Sequence, residues 1–330
     1  MSRLTRFFGS IFGSSEASTP VDPSRTRLGL STLERREVPA IDLVGDVLTI
    51  TGGAGNDTVT VQFKMTDMGG PTTYEVEQVS TQSSPLGTTI LKQKKSYNYT
   101  KVSAIVAELG DGANSFTNNS GLSSYVTGGT GVDTFIGGYA PDTFLTYGGN
   151  DYLRGGDEID FAGSAKGDIL IAGAGNDLVI GGSGNDKLYG GDDHDILLGQ
   201  GDNDQLSGDA GNDILIGGTG KDSLSGGNGS DLLIGAATSY DSNRTALFAL
   251  RDEWSSSKSY ATRVANVKSG NGLADGYKLT TTTVLEDNSA DELDGGADTD
   301  FFFAKLTSTS TSKDKLNDWN SQLESVVALS

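Results

Sequence analysis

Aspartate recurs every nine residues along the middle of this chain, and two positions after each one stands a single apolar residue. The aspartates fall at 133, 142, 151 and 160 and then, one residue out of step, at 168, 177, 186, 195, 204, 213, 222 and 231. Their apolar followers are Phe135, Phe144, Leu153, Ala162, Leu170, Val179, Leu188, Leu197, Leu206, Leu215, Leu224 and Leu233. A helix repeats after roughly 3.6 residues and a strand after about 2, so neither produces this spacing. A nonapeptide divides instead into a turn and a short strand whose middle residue alone faces inward. That accounts for one apolar side chain per repeat.

Two such units close one coil, and stacked coils predict an all-β fold: a right-handed parallel β-helix or β-roll solenoid with in-register ladders. Glycine supports this, at 47 of 330 residues. Its places early in each unit suit positive φ and carbonyls packed too closely for a Cβ. The alternation predicts two columns of carboxylates. Asp133, Asp151, Asp168, Asp186, Asp204 and Asp222 stack on one edge, and Asp142, Asp160, Asp177, Asp195, Asp213 and Asp231 on the other.

Coils one strand spacing apart, about 4.8 Å, make the carboxylates of one column near neighbours. At an effective dielectric near 20 each pair repels by roughly 3 kcal/mol. The chain as a whole carries a net charge of −20. A hard divalent cation between coils removes the repulsion. Ca²⁺ takes about 6–8 oxygens and suits carboxylates plus turn carbonyls, whereas Mg²⁺ is smaller and gives up its waters reluctantly. The candidate ligands are the carboxylates of Asp168, Asp177, Asp186, Asp195, Asp204, Asp213, Asp222 and Asp231. The backbone carbonyls of Gly182, Gly184, Gly211, Gly218, Gly220, Gly227 and Gly229 join them. Weaker candidates are Asp57, Asp133, Asp142, Asp151, Asp160, Asp291 and Asp300.

The units GGSGNDKLY (181–189), GGTGKDSLS (217–225) and GGNGSDLLI (226–234) resemble the GGxGxDxUx repeat of hemolysin-type calcium-binding proteins, the RTX family. AGAGNDLVI (172–180) and GDAGNDILI (208–216) are similar. The resemblance implies a calcium β-roll, calcium-dependent folding and export as an unfolded chain through a type I secretion system. The ion count expected is about six to ten. About six sites at ten times their dissociation constants would each add roughly 1.4 kcal/mol, together comparable to the whole stability of an ordinary domain. Departures from the repeat occur in GGDDHDILL (190–198) and GQGDNDQLS (199–207), where Asp takes the fourth-place glycine. They occur also in GGYAPDTFL (137–145) and GGDEIDFAG (155–163).

Four segments are expected: a disordered leader at 1–40, a degenerate β region at 41–127, the repeat array at 128–235 and a mixed α/β capping region at 236–330. Arg3 and Arg6 precede a short Phe/Ile segment that faintly resembles a secretory signal, and LESVVALS (323–330) resembles some type I secretion termini. In the second segment, GGAGNDTVT (52–60) is a full unit and GDGANSFT (110–117) an eroded one. Tyr74, Tyr97 and Tyr99 are candidates for exposed aromatics that stack on sugars. In the last segment, Leu247, Leu250 and Trp254 mark an amphipathic helix capped from Asp241–Asn243. Tyr260, Val264 and Val267 suggest a second helix, TTTTVL (280–285) a strand, and Leu316, Trp319, Leu323 and Val326 a terminal helix. The region is expected to cover the open end of the solenoid.

The acidic surface argues against nucleic acid as a partner, and no apolar run reaches the roughly 18 residues of a membrane span. The absence of cysteine decides little. With His194 as the single histidine, no HExxH zinc motif exists, and a Ser-His-Asp triad would have to use a turn residue. The reading is therefore a secreted or cell-surface calcium-binding structural protein, not an enzyme. The alternatives are an adhesin or matrix module that binds cell-surface polysaccharide, and a hydrolase with a carboxylate-only site.

Overall fold

The computed structural model describes residues 39–329, except 54, 65–71, 85–86, 158–165, 286, 288, 307–312 and 319–324. The leader expected at 1–40 lies outside the described residues as far as 38.

The chain opens with β1 (Ala40–Val44), β2 (Val47–Thr51) and β3 (Asn56–Lys64). A long hairpin, β4 (Thr73–Ser84) and β5 (Gly87–Asn98), precedes β6 (Ala104–Gly110), β7 (Ser115–Asn119) and β8 (Ser123–Gly128). The repeats then lay down β9 (Thr134–Ile136), β10 (Thr143–Leu145), β11 (Tyr152–Asp157) and β12 (Ile169–Ala174). They continue as β13 (Leu178–Ser183), β14 (Lys187–Asp192), β15 (Ile196–Gly201) and β16 (Gln205–Ala210). The last of them are β17 (Ile214–Thr219), β18 (Ser223–Asn228) and β19 (Leu232–Thr238). Two helices follow, α1 (Arg244–Trp254) and α2 (Tyr260–Ser269), with the short β20 (Val284–Leu285). The chain closes with β21 (Glu292–Ala297), β22 (Phe301–Ala304), β23 (Lys315–Leu316) and β24 (Ser325–Ala328).

Alternate strands feed two sheets. Sheet A runs β1-β2-β6-β8-β10-β12-β14-β16-β18-β21-β23, and sheet B runs β24-β22-β19-β17-β15-β13-β11-β9-β7-β3-β4-β5. From β6 to β23 in sheet A, and from β3 through β7 to β24 in sheet B, every pairing is parallel. This is an all-β parallel β-roll. The residue two places after each aspartate points inward, and Phe135, Phe144, Leu153, Leu170, Val179, Leu188, Leu197, Leu206, Leu215, Leu224 and Leu233 form one continuous core. Ala162 lies outside the described residues. Phe116, Phe135 and Phe144 widen the early coils with edge-to-face ring pairs.

One coil is longer than its neighbours, and this corrects the expected columns. Lys187 pairs with Gln205 at the usual interval of 18 residues. Tyr152, however, pairs with Leu178 and Thr143 with Ile169, both 26 apart. The extra residues lie between β11 and β12, where Glu158 and Ile159 replace the glycine-rich turn. Asp142 therefore stacks on Asp168 and Asp151 on Asp177. Asp160 lies outside the described residues.

The two sheets differ outside. From β16 to β21 the outward residues of sheet A are polar, such as Gln205, Ser207, Ser223 and Ser225. Those of sheet B from β13 to β22 are apolar and buried: Leu178 and Ile180, Ile196 and Leu198, Ile214 and Ile216, Leu232 and Ile234, Phe301 and Phe303. Against them pack Leu247, Leu250 and Trp254 of α1 and Val267 of α2. Asn243 caps α1 as expected, its Oδ1 accepting from the Ala246 N–H at 3.2 Å. The helices thus lie along the flank of sheet B rather than across an end of the solenoid. Burial of each such apolar side chain contributes about 1.5–3 kcal/mol.

The other end is closed by the β4–β5 hairpin. Gln93 Nε2 donates to Pro39 O, and Lys95 Nζ and Tyr97 Oη donate to Ile41 O, which occupies edge carbonyls of β1. Two expectations are corrected here. Tyr74 is buried against Phe63 rather than exposed. The terminal helix is also not found at its described positions, Trp319 and Leu323 lying outside the described residues: Leu316 pairs beside Leu293 and Val326 beside Phe302, as inward residues of further coils. Their helical spacing arises because a coil brings both to the core.

Candidate metal centre

Each turn leads either from sheet A to sheet B or from B to A, and each kind builds one edge of the roll. On the A-to-B edge a single ladder runs unbroken from Asp57 to Asp300. The Asp57 N–H donates to Asn114 Oδ1, the Asn114 N–H to Asp133 Oδ1 and the Asp133 N–H to Asp151 Oδ1. It continues through Asp177, Asp195, Asp213, Asp231 and Asp300, each N–H bound to the next carboxylate at 2.6–2.9 Å. On the B-to-A edge, Ser124, Asp142, Asp168, Asp186, Asp204, Asp222, Asp291 and Asp314 form the same chain. The long connections between described strands, after β3, β11, β19 and β22, fall at this second edge.

One oxygen of each carboxylate is used in this way. The other, Oδ2, is buried without a hydrogen-bond partner at Asp133, Asp151, Asp177, Asp195, Asp204, Asp213, Asp222 and Asp231. A buried polar atom left so costs about 1–3 kcal/mol, more when charged. Glycine shapes the space around it. A Cβ on first-place Gly190, Gly208 or Gly226 would fall on Oδ2 of Asp195, Asp213 or Asp231, closer than any real contact. A Cβ on second-place Gly182, Gly218 or Gly227 would meet the carbonyl oxygen of the residue stacked one coil earlier, as would one on fourth-place Gly211, Gly220 or Gly229. Each edge thus carries two columns of turn carbonyls beside its carboxylates. At two fourth places the substituted residues, Asp193 (φ 79°) and Asp202 (φ 72°), take the left-handed conformation that glycine takes elsewhere.

Without a cation, these carboxyls resist ionisation. Burial pushes Asp133, Asp177, Asp213 and Asp222 up to about 7. Asp291 reaches about 8. Asp195, Asp204 and Asp231 are pushed up to about 9, mainly by burial and further by carboxylates in adjacent coils. Among the described residues no three carboxylate or histidine side chains converge on one point. A cation here would therefore take much of its coordination from the backbone. An all-oxygen donor set with orphaned buried carboxylate oxygens fits a hard divalent ion.

Not every aspartate is placed for this. At Asp57, Ser80 Oγ donates to Oδ1 and the Gly53 N–H to Oδ2. At Asp142, Ser124 donates to Oδ1 through both its N–H and Oγ, and the Gly138 N–H to Oδ2. Protein donors already satisfy these two carboxylates. Asp314 was missed in the sequence, although Asp314 and Leu316 repeat the spacing of aspartate to apolar residue.

A second ladder lies just outside the first, at the fifth place of each turn. Asn150 Oδ1 accepts from the Asn176 N–H, Asn176 Oδ1 from the His194 N–H, His194 Nδ1 from the Asn212 N–H and Asn212 Oδ1 from the Ser230 N–H. The lone histidine is a rung. The recurring Asn before Asp was the available signal.

A family model described as the RTX calcium-binding nonapeptide repeat matches the chain in four copies, at residues 49–61, 127–162, 163–197 and 198–233. The array is thus an RTX calcium-binding nonapeptide array, covering about a third of the chain. The matches stop at 233, short of Asp291 and Asp300, which the structure joins to the same ladders. No curated protein matches the chain.

Proposed function

We propose that this protein is an extracellular or cell-surface structural protein whose solenoid folds on binding calcium between stacked turns. The reading rests chiefly on the orphaned Oδ2 atoms: eight buried carboxylate oxygens with no protein donor are a poor solution unless a cation meets them. Asp177, Asp195, Asp213 and Asp231 would hold ions on one edge, with Asp133 and Asp151 before them in the column. Asp168, Asp186, Asp204 and Asp222 would do so on the other. Carbonyls of the second-place Gly182, Gly218 and Gly227 and the fourth-place Gly184, Gly211, Gly220 and Gly229 complete the candidate donors. The ion supplies positive charge that offsets carboxylate repulsion, and the chain supplies a rigid oxygen lattice.

Extracellular modules of this kind bind calcium at about 10⁻⁴–10⁻³ M, well above cytosolic levels. Folding would then follow export. His194 is committed to its rung, and the carboxylates have a structural use, which supports a non-catalytic role. Far-UV circular dichroism of the whole chain during a calcium titration, with magnesium as control, tests the proposal. A cooperative, calcium-specific gain of β signal is the expected result. A spectrum indifferent to chelator would overturn it.

A further inference from the structure

The helical insert departs from the B-to-A edge, yet the polar contacts of its helices land on the other one. Trp254 Nε1 donates to Ser230 O at 2.7 Å, and Tyr260 Oη to Asp300 O at 2.7 Å. Arg251 Nη1 lies 3.4 Å from Asn176 O. Asn176 and Ser230 hold the fifth place of their turns and Asp300 the sixth, so three turns of the A-to-B edge are gripped through their backbone. The grip is firm: Trp254 is fully buried, Arg263 stacks on its ring, and Tyr260 also accepts from the Ser325 N–H at 3.0 Å. The same apolar face of sheet B that seats α1 runs beneath all of these turns.

Carbonyls held outward against the insert are engaged there, which leaves the second- and fourth-place carbonyls and the carboxylates facing their columns. A turn fixed in that conformation before an ion arrives loses less freedom on binding, and so binds more tightly. The B-to-A turns differ: among the described residues no helix side chain of the insert binds their carbonyls, and the contact made there is Asp287 Oδ2 accepting from the Gly220 N–H at 2.7 Å.

We propose that Trp254, Tyr260 and Arg251 are positioning residues for calcium on the A-to-B edge, and that this edge fills at lower calcium than the B-to-A edge. The proposal rests on the calcium reading above. It also gives the insert a role in binding rather than in covering apolar surface alone.

Hydrogen exchange of the full chain, followed by mass spectrometry across a calcium titration, resolves the two edges by peptide. Turns 208–213 and 226–231 report the A-to-B edge, and turns 181–186 and 199–204 the other. In the natural sequence the first pair gains protection at lower calcium. Tyr260→Phe keeps the buried ring and removes the hydroxyl, with its bond to Asp300 O and the bond it accepts from the Ser325 N–H, while Trp254→Phe removes the indole donor together with part of the ring. Each should raise the calcium midpoint of the A-to-B turns by about three- to tenfold and leave the B-to-A midpoint in place. Midpoints that coincide in the natural sequence, or that shift together in the variants, would overturn the proposal, because a purely structural role for the donors predicts the latter. If neither edge responds to calcium, the calcium reading itself fails and this inference with it.

Discussion

The backbone N–H of Asn212 donates to Nδ1 of His194 at 2.9 Å, across 18 residues of sequence and one coil of the roll. One coil earlier, Asn176 Oδ1 accepts from the His194 N–H in the same way. Histidine here imitates asparagine, and the imitation depends on pH. Nδ1 accepts only while unprotonated, and burial holds the imidazole below its ordinary pKa. A depressed histidine contributes stability that is complete above the unfolded value, about 6.5. That contribution is lost as pH falls toward the lower folded value. In saturating calcium, the melting temperature of the natural sequence should therefore drop between neutral and mildly acid pH more than that of His194→Asn. The difference amounts to about one rung, on the order of 1 kcal/mol. Parallel melting curves against pH would refute the rung.

The aspartate columns respond to pH in the opposite sense when calcium is removed. Asp195, Asp204 and Asp231, pushed up to about 9, are protonated in the metal-free fold at a pH where the unfolded chain is fully ionised. A carboxyl with a raised folded pKa favours the fold below its unfolded value, about 3.9. That stabilisation falls away as pH rises through the folded value. In chelator, β signal should accordingly increase on acidification from about 9 toward 5. Saturating calcium should abolish or reverse the trend, since the ion takes the place of the protons. Circular dichroism at a series of pH values, with and without chelator, checks both arms.

Two aspartates of one column should behave differently when made neutral. Asp213 accepts from the Asp195 N–H through Oδ1 and leaves Oδ2 without a donor, whereas both oxygens of Asp57 have donors. Asp213→Asn should raise the calcium midpoint several-fold and stabilise the metal-free chain, because it deletes a buried charge. Asp57→Asn should leave the calcium midpoint unchanged and instead lower stability by about 1–3 kcal/mol with or without the ion, by mismatching satisfied donors. Calorimetric titration and thermal melts of the two variants separate these outcomes.

Much of this architecture is legible in the sequence because the nine-residue period is itself the coil. The inward residues, the parallel sheets and the fate of Gly227 or Asp213 follow from phase alone. The column assignment was not legible, since a period cannot tell a one-residue slip from an excursion inside a long coil. Chemistry at 155–163 was the hint: Glu158 stands where the repeat places glycine, and Ile159 where it places a polar residue. The helical spacing of Leu316 and Val326 was misread for a related reason, as Asp314 and Leu316 keep the array's offset of aspartate to apolar residue but fall out of its nine-residue period. Asp57 and Asp142 looked like ligands because their donors, Ser80 and Ser124, come from other strands. No local pattern reveals that.

One further pattern, at twice the repeat, tells the two sheets apart. The residues flanking the inward leucine alternate between apolar, as Ile214 and Ile216, and polar, as Ser223 and Ser225. Only the first kind faces the insert, where Ile216 is 2% exposed beneath the α1 cluster. Ile216→Ser should therefore lower stability by about 2–4 kcal/mol, as truncation of a buried aliphatic does, and shift the tryptophan emission as the packing around Trp254 loosens. Ser225→Ala, on the open face of sheet A, should change neither by more than about 0.5 kcal/mol. Similar losses in the two variants would mean that the insert does not lean on sheet B in solution, and the grip on the A-to-B turns would lose its footing.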